Sequence, residues 1–99
     1  MANTERGAEW NDFATMVLGH IEEYTVPQYG DFPSDMVAGW TVAECIAQID
    51  KYVKRYQVMR RGRLETLRDM AKIAHYACMA FYKMNPTQDE IDKILEGRV

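Results

Sequence analysis

Apolar residues recur at steps of three and four near the start of the chain. They are Trp10, Phe13, Val17, Ile21 and Tyr24. This spacing places them along one side of an α-helix, while the acidic residues between them fall on the other sides. The pattern predicts a first helix from about Ala8 to Tyr24, preceded by a disordered tail over residues 1–7.

The helical pattern breaks between Thr25 and Trp40. The interruptions are Pro27, Gly30, Pro33 and Gly39. Residues that precede a proline are pushed towards extended geometry, so a long loop is predicted here. Loops of this length in compact domains are usually functional or mobile. The aromatic side chains of this loop either fold back over the core or form a surface for a ligand or partner.

A second helix is predicted to begin at a capping box. Thr41 and Glu44 have the spacing at which the hydroxyl and the carboxylate each accept a hydrogen bond from a backbone N–H group at the helix start. The helix should continue to about Gln57 with one inward apolar stripe. That stripe consists of Val42, Cys45, Ile46, Ile49, Val53 and Tyr56.

The longest predicted helix runs from about Arg63 to Met84. It carries two neighbouring apolar stripes that together make a wide apolar face. The first stripe contains Leu64, Leu67, Ala71, Ala74, Cys78 and Phe81, and the second contains Met70, Ile73, Ala77 and Met84. A helix that is apolar over so much of its circumference is normally central, so this helix is predicted to be the spine of the fold.

A fourth helix follows Pro86, since a proline disfavours helical geometry in the residue before it. Thr87 and Glu90 form another capping box, and the helix is predicted to extend to about Glu96. No strand-like alternation or internal repeat interrupts the series. We therefore predict an all-α, single-domain bundle of about four helices over residues 1–99, with a long loop between helices one and two.

Length and composition favour one soluble domain. The chain has 99 residues, of which 47% are hydrophobic and 27% are charged, as in ordinary globular proteins. No stretch approaches the roughly 18 consecutive apolar residues of a membrane-spanning helix. The opening residues lack the basic start and apolar run of a secretory signal. We expect a cytoplasmic protein with no membrane partner, in which Cys45 and Cys78 stay reduced.

The formal net charge of −3 conceals a strong asymmetry along the chain. Residues 1–50 hold nine acidic residues and one basic residue, a net charge of −8. Residues 51–72 hold eight basic and two acidic residues, a net charge of +6, and residues 73–99 carry −1. Such polarity can be satisfied within the fold, between two copies of the chain, or by a polyanion such as a nucleic acid.

The basic segment predicts a hairpin of two helices with cations along one edge. Lys51 and Arg55 lie one turn apart on one helix, and Lys72 and His75 share a face of the next. Guanidinium groups bind phosphate oxygens through paired hydrogen bonds, and aromatic rings can stack on a base. The candidate ligand-binding residues are Lys51, Tyr52, Arg55, Arg61, Arg63, Asp69, Lys72, His75 and Tyr76. The alternative is a solvated cationic face with local ion pairs.

Sequence motifs for common enzyme chemistries are missing. The chain has no glycine-rich phosphate loop and no nucleophile elbow. All-helical pyrophosphatases hold magnesium with carboxylates at defined helical spacings, whereas Glu22 and Glu23 are adjacent and Glu65 and Asp69 are one position too far apart. His20 has no second histidine or cysteine cluster with which to bind zinc. We therefore expect no metal site and no cofactor, and favour a binding protein over an enzyme.

The pattern Lys51-Tyr52-x-x-Arg55, followed by Asp69-Met70-x-Lys72-x-x-x-Tyr76, resembles a small phage-type helical domain of unknown function. The resemblance covers about residues 40–84. It implies that five residues form one cluster that links two helices. These are Lys51, Arg55, Asp69, Lys72 and Tyr76. Some members of that family lie near nucleotide metabolism, and the same cluster could equally be a structural ion-pair and tyrosine network.

These patterns together suggest a phage-type or prophage-type accessory module. The expected partner is a nucleotide, a nucleic acid or a protein, bound through the basic edge of the helical hairpin. Two alternatives stay open. One is a small nucleotide-processing enzyme that uses Asp69, Lys72 and His75, and the other is a structural homodimer in which acidic and basic halves meet.

Overall fold

A computed structural model of the chain describes residues 3–58 and 62–97. Within these ranges the secondary structure is helical and contains no strand, which confirms the predicted all-α class. The chain divides into two compact units, Met1–Trp40 and Thr41–Val99. A single domain over residues 1–99 therefore stays a prediction. The candidate residue Arg61 lies outside the described residues.

The first helix, α1, spans Glu5–His20. It begins three residues before the predicted start, because the Thr4 side chain accepts a hydrogen bond from the backbone N–H of Gly7 at 3.0 Å. This cap satisfies one of the donor groups that every helix start leaves unpaired. Residues 5–7, which the sequence pattern assigned to a tail, are accordingly helical.

The helix does not stop where the loop was predicted. A π-helical turn, Ile21–Thr25, follows α1, and a short α-helix, α2, spans Val26–Tyr29. Pro27 lies in the first turn of α2, where its missing N–H removes no hydrogen bond that a helix needs. The prediction that residues 25–29 form a loop is therefore wrong.

Irregular backbone is confined mainly to the segment after α2. Gly30, with a positive φ of 91°, ends α2, and a 3-10 turn spans Met36–Gly39. Asp35 caps that turn by accepting a hydrogen bond from the Ala38 N–H at 3.0 Å. The large apolar side chains exposed here are those of Tyr29, Phe32 and Met36.

In the second unit, α3 spans Val42–Val58, α4 spans Gly62–Lys83 and α5 spans Gln88–Leu95. The three helices and both capping boxes are confirmed. The backbone N–H of Glu44 donates to the Thr41 hydroxyl at 3.2 Å, and the Thr41 N–H donates to the Glu44 carboxylate at 3.0 Å. Thr87 and Glu90 make the same reciprocal pair at the start of α5.

The helices α3 and α4 pack against each other as an antiparallel hairpin. Tyr52 of α3 lies opposite Tyr76 of α4, and the later residue Arg55 lies opposite the earlier residue Asp69. The buried residues of the described chain all belong to this hairpin. They are Cys45, Tyr52, Asp69, Ala71, Met79 and Ala80.

The hairpin buries a different set of residues from the one predicted. Tyr52 is buried and Val53 is exposed, whereas the sequence pattern placed Val53 inside. The two predicted stripes of α4 are also largely outside. Their exposed members are Leu64, Leu67, Met70, Ala77, Cys78, Phe81 and Met84. Each residue turns a helix by about 100°, so a seam displaced by one position exposes most of the expected stripe.

Among the described residues, no helix combines the length and the apolar character needed to span a bilayer.

Candidate functional site

The seam between α3 and α4 contains a stacked pair of tyrosines. The rings of Tyr52 and Tyr76 have centroids 6.1 Å apart and planes inclined by 26°. Tyr52 is buried, because its position in α3 points directly at α4 and follows Cys45 by two helical turns. Aromatic pairs at this separation add stability beyond the area they bury. The stacked pair therefore fixes the register of the hairpin at this level.

Three cationic side chains converge on the ring of Tyr52. The ammonium nitrogen of Lys51 lies 5.0 Å from the ring centroid, the guanidinium carbon of Arg55 lies 5.1 Å away, and the ammonium nitrogen of Lys72 lies 5.5 Å away. All three distances are within the range of cation–π attraction. Lys72 comes from α4 and the other two come from α3, so the group forms only when the hairpin closes.

One carboxylate lies beside this group. Asp69 of α4 is buried, and its Oδ1 atom lies 3.7 Å from Nη1 of Arg55. That oxygen has no hydrogen-bond partner within the described part of the chain. The distance exceeds that of a direct hydrogen bond, so Asp69 attracts Arg55 by charge without fixing it by a hydrogen bond. Arg55 keeps donors with which to bind another group.

The charges of this group do not balance. Lys51, Arg55 and Lys72 supply three positive charges, and Asp69 supplies one negative charge. Like charges gathered around one ring repel, and the ring quadrupole offsets only part of that repulsion. An anion that binds among the three cations would lower the electrostatic energy of the group. Phosphate is the common biological anion whose oxygens match such donors.

The cations lie on one side of the hairpin. On each helix, the direction towards the partner helix serves as the reference. Helical geometry then turns five side chains to the same side of the hairpin. We call these residues the cationic face: Lys51, Arg55, Arg68, Lys72 and His75. Within this face Arg68 is already paired with Glu65, its Nη1 atom lying 2.7 Å from Oε1. The central part of the face is therefore made by Lys51, Arg55 and Lys72.

The remaining candidate residues differ in their relation to this centre. The ring of His75 is 6.5 Å from that of Tyr76, so it borders the stacked tyrosines. Arg63 is exposed in the first turn of α4. The structure thus brings together seven of the predicted residues, leaves Arg63 outside the group and does not describe Arg61. The seven are Lys51, Tyr52, Arg55, Asp69, Lys72, His75 and Tyr76.

A cation close to the group in sequence lies outside it. Lys54 projects away from α4, is 71% exposed and pairs with Asp50 at 2.7 Å on the same helix. The hydrogen bond to Asp50, and then its negative charge, raise the pKa of Lys54 above its ordinary value. Lys54 therefore has the same charge as Lys51 and Lys72 but a different location, which makes it a matched control.

Sequence reasoning named Tyr52 but missed that it is the buried centre of the group. A signal was present, because Cys45, Gln48, Tyr52 and Arg55 follow one another at steps of three and four. This second stripe is partly polar, so the more apolar stripe beside it was preferred. Only the partner helix decides between the two.

Metal binding and similarity to known proteins are two separate questions about this chain. In the ranges 3–58 and 62–97, no group of three or more histidine, cysteine or acidic side chains is placed to hold a metal ion. Comparison of the chain with family models, curated proteins and solved structures finds no match. The resemblance to a phage-type helical domain therefore stays a prediction.

Proposed function

We propose that this chain is a non-enzymatic accessory module that binds the phosphate groups of a nucleotide or nucleic acid on the cationic face of the α3–α4 hairpin. The observation that carries the proposal is the convergence of Lys51, Arg55 and Lys72 on one tyrosine ring. Three cationic side chains gathered around one ring favour a multiply charged anion.

The charges around the cationic face favour contact with a short polyanion over contact with a long one. The first fifty residues carry a net charge of −8, which repels a polyanion wherever it approaches them. The basic stretch ends at Lys72, and α5 is again acidic at its start through Asp89 and Glu90. A mononucleotide or a few nucleotides of a single strand fit these charges better than a long duplex.

The stacked tyrosines contribute indirectly. Tyr52 is buried and cannot receive a base, but its ring holds the three cations at one place before any ligand arrives. Pre-organised donors lose less side-chain entropy on binding, so they bind an anion more tightly than freely moving lysines. Tyr76 is only half-buried, and it is the ring of this pair that a base could reach.

An amide NMR titration of the native chain tests the proposal. The probes are ATP, a short single-stranded DNA and inorganic phosphate, each at low and moderate salt, with adenosine as the control that lacks phosphate. We expect saturable shifts confined to residues 51–55 and 69–76, weaker at moderate salt and missing with adenosine. ATP binding tighter than DNA would identify a nucleotide site, and the reverse order a single-strand site.

Two outcomes would overturn this function. One is that no amide moves with any probe. The other is that the shifts centre on α1 or α5, away from the three cations. Shifts spread evenly over every exposed lysine and arginine would likewise indicate unspecific charge attraction and not a built site.

A small nucleotide-processing enzyme is a second candidate. The supporting observation is the buried carboxylate of Asp69, which stands beside Arg55 and has one oxygen without a hydrogen bond. A carboxylate at such a place can serve a metal-bound phosphate or a proton transfer. Magnesium-dependent turnover of a nucleoside triphosphate that disappears in Asp69→Asn would favour the enzyme. Binding without turnover favours the accessory module.

A further inference from the structure

The hairpin has a second exposed face, on which apolar side chains replace the cations. On α3 and α4 these residues lie at steps of three, four or seven beside the buried seam. We call them the apolar face: Ile46, Val53, Met70, Ala77, Phe81 and Met84. All six are exposed. Apolar side chains in such a continuous set usually mark an interaction surface.

Both helices turn their apolar residues to the same side. Val53 follows the buried Tyr52 by one position, and Ala77 follows the seam residue Tyr76 by one position. One step rotates a side chain by about 100° in the right-handed sense of each helix. Because the helices are antiparallel, these two rotations lead to one common side. The opposite side is the cationic face, so the hairpin is apolar on one side and cationic on the other.

We propose that the apolar face packs against the same face of a second copy of this chain, with the two α4 helices antiparallel. Two helices alone bury little apolar area, and a second hairpin would complete a four-helix arrangement. The order of side-chain sizes along α4 supports a two-fold partner. Leu67 and Ala74 border the apolar face on α4 and belong to this order. Leu67 and Met70 are large, Ala74 and Ala77 are small, and Phe81 and Met84 are large again.

This order is self-complementary. A two-fold interface requires that if one residue contacts another on the partner, the reverse contact occurs as well. Antiparallel α4 helices centred between positions 75 and 76 satisfy that condition, since they place Met70 opposite Phe81 and Ala74 opposite Ala77. The alanines let the two helix backbones approach closely at the centre, and the larger side chains fill the space towards both ends.

Charge favours the antiparallel arrangement over the parallel one. The closed end of the hairpin is basic, whereas the open end carries Glu44 and the acidic first turn of α5. Antiparallel packing brings the basic end of one copy beside the acidic end of the other. Parallel packing would bring two basic ends together and add repulsion. Rising salt should therefore weaken the antiparallel dimer.

Sedimentation equilibrium of the native chain and two variants tests this inference. We expect a mass of twice 11.5 kDa for the native chain, with weaker association at high salt. Phe81→Glu, at a side chain that is 37% exposed, should weaken dimerisation at least about a hundredfold, because it buries an unpaired charge. Leu64→Glu is the matched control, since Leu64 is 62% exposed and helical geometry turns it away from the apolar face. It should leave the dimer intact.

A second measurement guards against a variant that fails to fold. In a mixture of isotope-labelled and unlabelled native chains, intermolecular NOEs should connect Met70 with Phe81 and Ala74 with Ala77. A native chain that stays monomeric at NMR concentration would overturn the inference. So would dimerisation that Leu64→Glu abolishes and Phe81→Glu spares, or intermolecular NOEs that join Met70 to Met70 in a parallel pair.

Discussion

The Oδ1 atom of Asp69 lies 3.7 Å from Nη1 of Arg55, and the two partners are unequally buried, with side-chain exposures of 6% and 33%. The pair therefore reaches from the interior of the hairpin to its cationic face. Its inner member holds a negative charge in the seam, and its outer member faces solvent. Through this pair, the packing of α3 on α4 sets where one of the three converging cations stands.

Replacement of Asp69 by asparagine should destabilise the fold, because Arg55 loses the buried negative charge that it faces. We expect Asp69→Asn to lower the free energy of unfolding by about 1–3 kcal/mol, less than a fully buried pair would lose since Arg55 is partly solvated. Urea denaturation followed by circular dichroism measures the change. Asp50→Asn, which breaks an exposed pair with Lys54, should change stability far less than Asp69→Asn. An Asp69→Asn protein as stable as the native chain would contradict this role.

The buried tyrosine should matter more to stability than an exposed one. Tyr52→Leu removes the stack with Tyr76 and the ring on which three cations converge, so we expect a loss of about 2–3 kcal/mol. Tyr56→Leu, at a position of α3 that is 53% exposed, should cost less than about 0.5 kcal/mol. Thermal and urea unfolding of both variants make the comparison. Equal losses would mean that the seam does not run through Tyr52.

The pKa of Tyr29, in the first unit, should depend on its neighbour Tyr24. A charged Tyr24 would repel the phenolate of Tyr29, and this repulsion raises the pKa of Tyr29 above its ordinary value. A raised pKa favours the neutral phenol in the folded state. Its contribution to stability is therefore present below the unfolded pKa and lost as pH rises through the folded pKa.

Tyr24→Phe removes the neighbouring charge and should bring the pKa of Tyr29 back towards its ordinary value. Ring carbon shifts of labelled tyrosine, followed by NMR against pH, report the titration of Tyr29 directly. The same pKa for Tyr29 in the native chain and in Tyr24→Phe would show that the two phenols do not interact.

Local signals predicted the helices of the second unit well. The capping boxes at Thr41 and Thr87 and the proline at position 86 act within a few residues, so α3, α4 and α5 begin and end close to the expected places. The extension to Tyr29 was missed because Pro27 reads as a helix breaker. Its tolerated place in a new first turn depends on the π-helical turn before it.

The candidate site was predicted in composition but not in geometry. The spacing of Lys51 and Arg55, and the likelihood of an antiparallel neighbour, pointed to a shared cationic edge. Which of two adjacent stripes faces the partner helix is decided by long-range packing, and the polar stripe of Tyr52 and Asp69 faces it. The apolar face on the opposite side follows from the same displacement of one position.

The most direct test of a phosphate-binding cationic face compares two variants that each remove one positive charge. Lys72→Gln removes a cation that converges on Tyr52, and Lys54→Gln removes one that projects away and pairs with Asp50. The measurement is the affinity of each variant and the native chain for one short single-stranded DNA and for ATP, by calorimetry at fixed low salt. We predict that Lys72→Gln lowers the affinity for the more tightly bound of the two ligands about tenfold. Lys54→Gln should change the affinity for the same ligand by less than about twofold. Equal losses in the two variants, or no loss in Lys72→Gln, would contradict a built site at this face.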